Sequence, residues 1–356
     1  MQKLNFDLSF VAALLMLAVA AGCPTENGGS GSDGEYGDSA AAELEGTINI
    51  DGSSTVYPIT EAVAAEFSKK YINVKVPVAV SGTGGGFKRF VIGETEISNA
   101  SRPIKEEEFE NAIENEIKFV EVPVAYDGLS VVVNPENDWC DELSVDDLKK
   151  IFLDAEDKPT MWSEVREGFP EEPIKLFIPG TDSGTFDYFK EVVVDDSEGS
   201  IRSDVSASED DNVLVTGISA EKGGIGFFGC AYYFENSDKL KALAIINDAG
   251  EAVKPTAETI ESGEYNPLSR PLFIYVNSDR MSRPEMKKFV DFYLEKAGEK
   301  ASEVGYVALP ESVYETARDN VKNKNTGTAF HTADGEKRSG SVGDVYNKEN
   351  LTTSLN

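Results

Sequence analysis

Apolar runs, hydroxyl-rich loops and helically spaced apolar positions follow one another three times in this chain. Thr47–Ile50 predicts a short strand and Asp51–Thr55 a loop, and Ile59, Val63 and Phe67 then mark a helix. Pro58 falls in that helix's first turn, where its missing N–H costs nothing. Val74–Val80 predicts a second strand, followed by Ser81-Gly82-Thr83-Gly84-Gly85-Gly86 and a helix opening on Phe87, Phe90 and Val91. Ile174–Ile178 predicts a third strand. It runs into the loop at Pro179 and an amphipathic helix carrying Phe186, Phe189 and Val193.

Between these units the pattern predicts an acidic helix over Lys105–Glu116, a strand over Gly128–Asn134 and a helix over Val145–Phe152, with Leu148, Ile151 and Phe152 inward. Further on, Asp211–Ile218 reads as helix, Phe227–Phe234 and Leu272–Val276 as strands, and Met286–Ala297 as an amphipathic helix. Beyond Arg318 the chain is polar and Gly-rich, which predicts a loosely packed tail.

Composition changes the picture at the N-terminus. Phe10–Ala21 is apolar but short for a bilayer span, and it ends in Ala20-Ala21-Gly22-Cys23, which looks like a bacterial lipobox. Ala20 stands where such boxes prefer Leu. Pro24–Ala42 is rich in Gly, Ser, Asp and Glu and reads as a flexible tether. An exported, lipid-anchored protein is expected, with an uncleaved anchor helix as the alternative. The net charge of −31 excludes a phosphate backbone as partner, because nucleic acid needs basic patches. Acidic residues scattered along helices suit a salty environment, where screening shortens to ~3 Å at 1 M salt. In an exported chain, Cys140 and Cys230 form a candidate disulfide in the second domain, though buried free thiols would behave as small hydrophobes.

The chemistry lies in the three loops. The first amides of a helix lack intrahelical partners and carry the positive end of its dipole, so hydroxyls beside them make a seat for an oxyanion. Thr181, Ser183 and Thr185 are so placed, although a plain N-cap also favours Ser and Asp. Neither glycine loop is a nucleotide motif: Phe87 takes the last glycine position of G-x-G-x-x-G, and no Gly-Lys-Ser/Thr follows. Arg102 offers a planar fork for an oxyanion, or else pairs with Glu106 or Glu107 on the surface. An acyl-transfer site is not expected, because Thr181 breaks G-x-S-x-G and the single histidine, His331, falls in the polar tail. No His/Cys cluster suggests zinc.

Together, DGSSTVYP (Asp51–Pro58), SGTGGGFKRF (Ser81–Phe90), NASRPI (Asn99–Ile104), VAYDGLSVVVN (Val124–Asn134), PGTDSGTFDYF (Pro179–Phe189) and GGIGFFGCAYY (Gly223–Tyr233) resemble the substrate-binding lipoproteins of phosphate ABC transporters. The resemblance implies an α/β periplasmic-binding-protein fold of type II, with two crossover hinge strands and the ligand in the interdomain cleft. It places a signal peptide at 1–22, lipid anchor and tether at 23–45, domain I at 46–125 and 267–330, domain II at 126–266, and a polar tail at 331–356. It implies that Ser54, Thr55, Thr83, Ser101, Ser183, Gly184 and Thr185 line phosphate. Members of the best-known type carry aspartate where Ser101 stands and arginine where Pro179 stands. Here the arginine would be Arg102, as in the family's Ser-Arg-Pro branch, and the acceptor of the phosphate proton stays open among Asp182, Asp127 and Asp51. The expected protein is a monomer without cofactor, metal or catalytic residues. It would capture inorganic phosphate outside the cytoplasm, meet the membrane through lipidated Cys23 alone, and deliver to an ABC permease. The alternatives are another tetrahedral oxyanion such as sulfate, or a phosphatase using a carboxylate-held metal.

Overall fold

The computed structural model describes residues 44–181, 183–194, 199–208, 210–338 and 340–355. Cys23 with the tether, and Asp182, lie outside the described residues. The chain first lays down β1 (Ile50–Gly52), α1 (Tyr57–Lys70), α2 (Gly82–Phe90), β2 (Ile97–Ala100) and α3 (Glu106–Glu114). Then come the long β3 (Phe119–Val133), α4 (Val145–Phe152), β4 (Lys175–Pro179) and α5 (Gly184–Phe189), which continues into a π-helical turn over Lys190–Val194. The series β5 (Ser206–Ser208), α6 (Asp211–Ala220), β6 (Gly224–Gly229), α7 (Cys230–Glu235) and β7 (Lys241–Ala242) precedes β8 (Ser269–Asn277), α8 (Pro284–Glu303) and α9 (Glu311–Asn323).

The main sheet runs β1-β2-β8-β3-β6-β4-β5, with β7 also on β3. All fifteen residues of β3 are buried, and its near-continuous apolar sequence is that of a strand covered on both faces. As far as Gly128 it pairs antiparallel with β8, and from Leu129 it pairs with β6. One strand therefore passes from one lobe of this mixed α/β fold to the other, and β8 runs beside it at the crossing. Gly128 marks the change, since a Cβ there would lie 3.0 Å from Cys230 Sγ.

Aromatic pairs pack in both lobes of one continuous core. In the first, Phe67 of α1 meets Phe289 of α8 edge-on at 5.1 Å between centroids. In the second, Phe189 of α5 stacks on Phe227 of β6 at 3.8 Å. Such contacts add to the area buried by each ring.

Four expectations need correction. The aromatic run Phe227–Phe234 is strand only to Gly229 and then turns helical. Of Val74–Val80 only Val74–Lys75 is strand, with an isolated bridge from Val78 to Ile50. The helix read as opening at Phe87 begins at Gly82, because the glycines are themselves its first turns. The tail is not loose: Thr328, Ala329, Phe330, His331, Val342, Val345 and Tyr346 are all buried. Its anchor is Glu121 of β3, whose carboxylate accepts from Tyr275 Oη (2.6 Å), Thr328 Oγ1 (2.8 Å) and the Ala329 amide (2.8 Å). Tyr346 donates to the Glu121 backbone carbonyl at 2.7 Å.

Candidate anion site

The first wall of the site is fixed by backbone contact. The Ser53 amide donates to Asn99 O at 3.0 Å, tying the loop after β1 to the end of β2. Gly52 has φ +140°, and a Cβ on it would lie 2.1 Å from Asn99 O, so only glycine fits. Gly86 of α2 sits as closely on β1, where an added Cβ would be 2.6 Å from Gly52 Cα. With the helix held so near, Thr83 Oγ1 accepts from the Ser101 amide at 3.2 Å and shares a hydrogen bond with Ser101 Oγ at 3.0 Å. The hydroxyls of Ser54, Thr55, Thr83 and Ser101 thereby reach one cavity of about 270 Å³.

Arg102 and Arg270 complete the lining together with Gly84, Asp187 and Glu191. Arg270, on β8, was not singled out by sequence reasoning. Its Nη2 donates to Thr55 Oγ1 (3.1 Å), its Nε to Asp127 Oδ2 (3.3 Å) and its Nη1 to Glu191 Oε2 (3.0 Å). The guanidinium also lies 3.6 Å from the Tyr188 ring centroid. Asp127 is fully buried on β3; burial pushes its carboxyl up, Arg270 opposes that, and its Oδ1 has no hydrogen-bond partner. A larger cavity of about 460 Å³ lies elsewhere, between α3 and the C-terminal segment; its lining mixes apolar side chains such as Phe109, Ile113 and Ile117 with Glu116, Lys118 and Asp279, and contains no arginine.

The other expected residues are distributed as follows. Gly184 reaches the site by packing on Thr55, where its added Cβ would lie 3.3 Å from Thr55 Cα. Ser183 Oγ caps α5 by accepting from the Thr185 amide at 3.2 Å, and Thr185 lines a neighbouring cavity of about 290 Å³ with Tyr232 and Tyr306. Arg102 lines the main cavity while its fork is held by Glu108 through two 2.8 Å hydrogen bonds. Asp51 is held by Arg89 at 2.5 Å and is not on the lining. The candidate disulfide is corrected: Cys140 and Cys230 are free and buried. Each thiol has its own neighbour, Glu142 O at 3.8 Å for Cys140 and Ser130 Oγ at 3.1 Å for Cys230. Burial pushes both thiols up, Cys140 to about 12, so neither is a ready nucleophile. Among the described residues, no group of three or more His, Cys, Asp or Glu side chains is placed to hold a metal.

A family model described as a PBP superfamily domain matches residues 37–297. Protein SphX of Synechococcus elongatus is 47% identical over 312 residues, covering 87% of this chain and 91% of that protein. The phosphate-binding protein PstS of Staphylococcus haemolyticus is 41% identical over 283 residues, or 79% of this chain and 86% of that one. Among solved structures, a possible phosphate binding protein from Planctomyces limnophilus superposes with TM-score 0.75 at 49% identity, covering 79% of this chain and 99% of the other. An ABC-type phosphate transport receptor from Vibrio cholerae gives 0.59 at 25% identity, covering 74% of this chain and 100% of the other. The strand that crosses between lobes, the site beside it and these likenesses agree: the chain belongs to the periplasmic-binding-protein superfamily and, within it, to the family of the PstS and SphX proteins.

Proposed function

We propose that this protein captures inorganic phosphate outside the cytoplasm and delivers it to an ABC-type import permease. The observation that carries the reading is the convergence of four hydroxyls and two arginines on one 270 Å³ cavity. The relatives named for phosphate binding point to the same ligand. Hydroxyls and guanidinium groups donate to tetrahedral oxyanions in general. Selection between them needs an acceptor. Asp187 puts a carboxylate on the lining, and phosphate near neutral pH still carries a proton to give it, whereas sulfate has none. Sites built around such a hydrogen bond discriminate by ~10⁴-fold or more.

Capture works by closure. Ser54, Thr55, Thr83 and Ser101 belong to the first lobe and Asp187 to the second, so a ligand touching both favours the closed arrangement. β3 and β8 are the hinge, because β8 lies beside β3 as far as Gly128, where β3 changes its sheet partner. The boundaries proposed are 46–125 with 267–330 for the first lobe and 126–266 for the second. Lipid-anchored Cys23, a monomeric state, and an acidic surface suited to salt complete the proposal.

Titration calorimetry with phosphate and sulfate tests the ligand, and comparable binding of sulfate would overturn the assignment. Steady turnover of a chromogenic phosphate ester would replace binding by catalysis. Mass spectrometry of the membrane-extracted protein should find a diacylglyceryl adduct on Cys23, and an acyl-free form would remove the anchor. Thermal midpoints should rise with salt as screening relieves the charge of −31.

A further inference from the structure

Arg270 has three polar partners, and they differ in how easily they can leave. The Asp127 side chain is 1% exposed and part of β3, so it cannot withdraw without unpacking the strand. Thr55 is likewise buried, in the loop tied to Asn99. The Glu191 side chain is 66% exposed and stands on the π-helical turn after α5, on the opposite side of the cavity. Its carboxylate already lines the space where an oxyanion would sit, and it occupies a guanidinium nitrogen that such an anion would use. An exposed ion pair contributes little, because water takes over both partners when it opens.

Arg102 is differently placed. Both ends of its fork are engaged by Glu108, whose own Oε2 also accepts from the Lys105 amide at 2.8 Å, so that pair is part of the start of α3. Of the two arginines on the lining, Arg270 is the one with a partner that can leave.

We propose that Arg270 is the charged ligand of the bound anion and that Glu191 is its resident counter-ion, displaced into solvent when the anion enters. The proposal rests on the phosphate reading above. Glu191 then acts as an internal competitor: it keeps Arg270 compensated in the empty site and lowers the apparent affinity by the work of displacing it. It also links occupancy to lobe position, because the Arg270–Glu191 bond joins the two sides of the cavity. Around this pair the charged groups are Asp127 behind the guanidinium, Asp187 on the lining, and the Arg102–Glu108 pair across the cavity.

The test is titration calorimetry of inorganic phosphate into wild type, Glu191→Gln and Arg270→Gln at pH 7.5 and low salt. Glu191→Gln removes the competing charge and keeps the shape, and should bind five- to tenfold more tightly. Arg270→Gln should bind at least 100-fold more weakly, with circular dichroism and a thermal melt confirming that it is folded. Wild type binding phosphate while Glu191→Gln binds it equally or more weakly overturns the displacement and leaves the phosphate reading standing; weaker binding would make Glu191 a direct acceptor of the ligand's proton. Arg270→Gln binding as wild type does would return the charged role to Arg102. Wild type binding no phosphate overturns the phosphate reading, and the inference with it.

Discussion

On one side of the cavity Thr83 and Ser101 are hydrogen-bonded to each other and to backbone, and Gly52 and Gly86 bring β1, β2 and α2 into direct contact. On the other side Asp187 and Glu191 stand on a six-residue helix and the π turn that follows it, and the Glu191 side chain faces solvent. The first wall is a preorganised set of donors whose positions cost nothing further when a ligand arrives. The second is charged and adjustable, and it is the wall that can report occupancy by moving. A binding protein that must both hold and release its ligand has use for one of each.

The sharpest way to break the fixed wall is Gly52→Ala. A Cβ 2.1 Å from Asn99 O on a residue at φ +140° should cost about 3 kcal/mol or more of stability, seen in urea unfolding. Phosphate affinity should fall with it, because Ser54 and Thr55 ride on that backbone. A variant as stable as wild type would show that the close approach is not real.

The fixed side also depends on β3, where burial pushes Glu121 up to about 7 despite three donors to its carboxylate. A carboxyl raised on folding contributes its full stability below its ordinary value near 4.5 and loses it as pH rises through the folded value. The stability of wild type relative to Glu121→Gln should therefore fall by about 3 kcal/mol between pH 4.5 and 8. A pH-independent difference in denaturation midpoints would contradict this.

Smaller effects separate holding from moving. Thr55→Val removes one cavity hydroxyl and the acceptor for Arg270 Nη2, and should weaken phosphate binding by about 1–2 kcal/mol with little change in melting temperature. Gly184→Ala presses a methyl to 3.3 Å from Thr55 Cα where the walls meet, and should shift affinity by less than about 1 kcal/mol. A loss in Gly184→Ala larger than in Thr55→Val would mean that the contact between the walls governs binding more than the hydroxyls do.

Much of this was legible in the chain. Val145–Phe152 is helix at both predicted ends, and Leu272–Val276 is the centre of β8, because strong periodicity and a pure apolar run each leave few alternatives. Ser54, Thr55, Thr83 and Ser101 are singled out by the family resemblance, and all four line the one cavity. Arg270 is not. It reads as a polar flank of a core strand, and its meeting with Thr55, 215 residues away, exists only once β8 lies beside β3. The C-terminal segment misled for a related reason: its polar residues are buried because Glu121 gives them partners, which composition does not record. Phe227–Phe234 carries no period that could separate its strand half from its helical half.

The central claim is that this cavity, beside the crossing strands, is where phosphate is held. Diffraction from crystals grown with phosphate tests it most directly. A tetrahedral anion is expected within hydrogen-bonding distance of Thr55, Thr83, Ser101 and Arg270. An anion bound elsewhere, with that cavity holding only water, would contradict it.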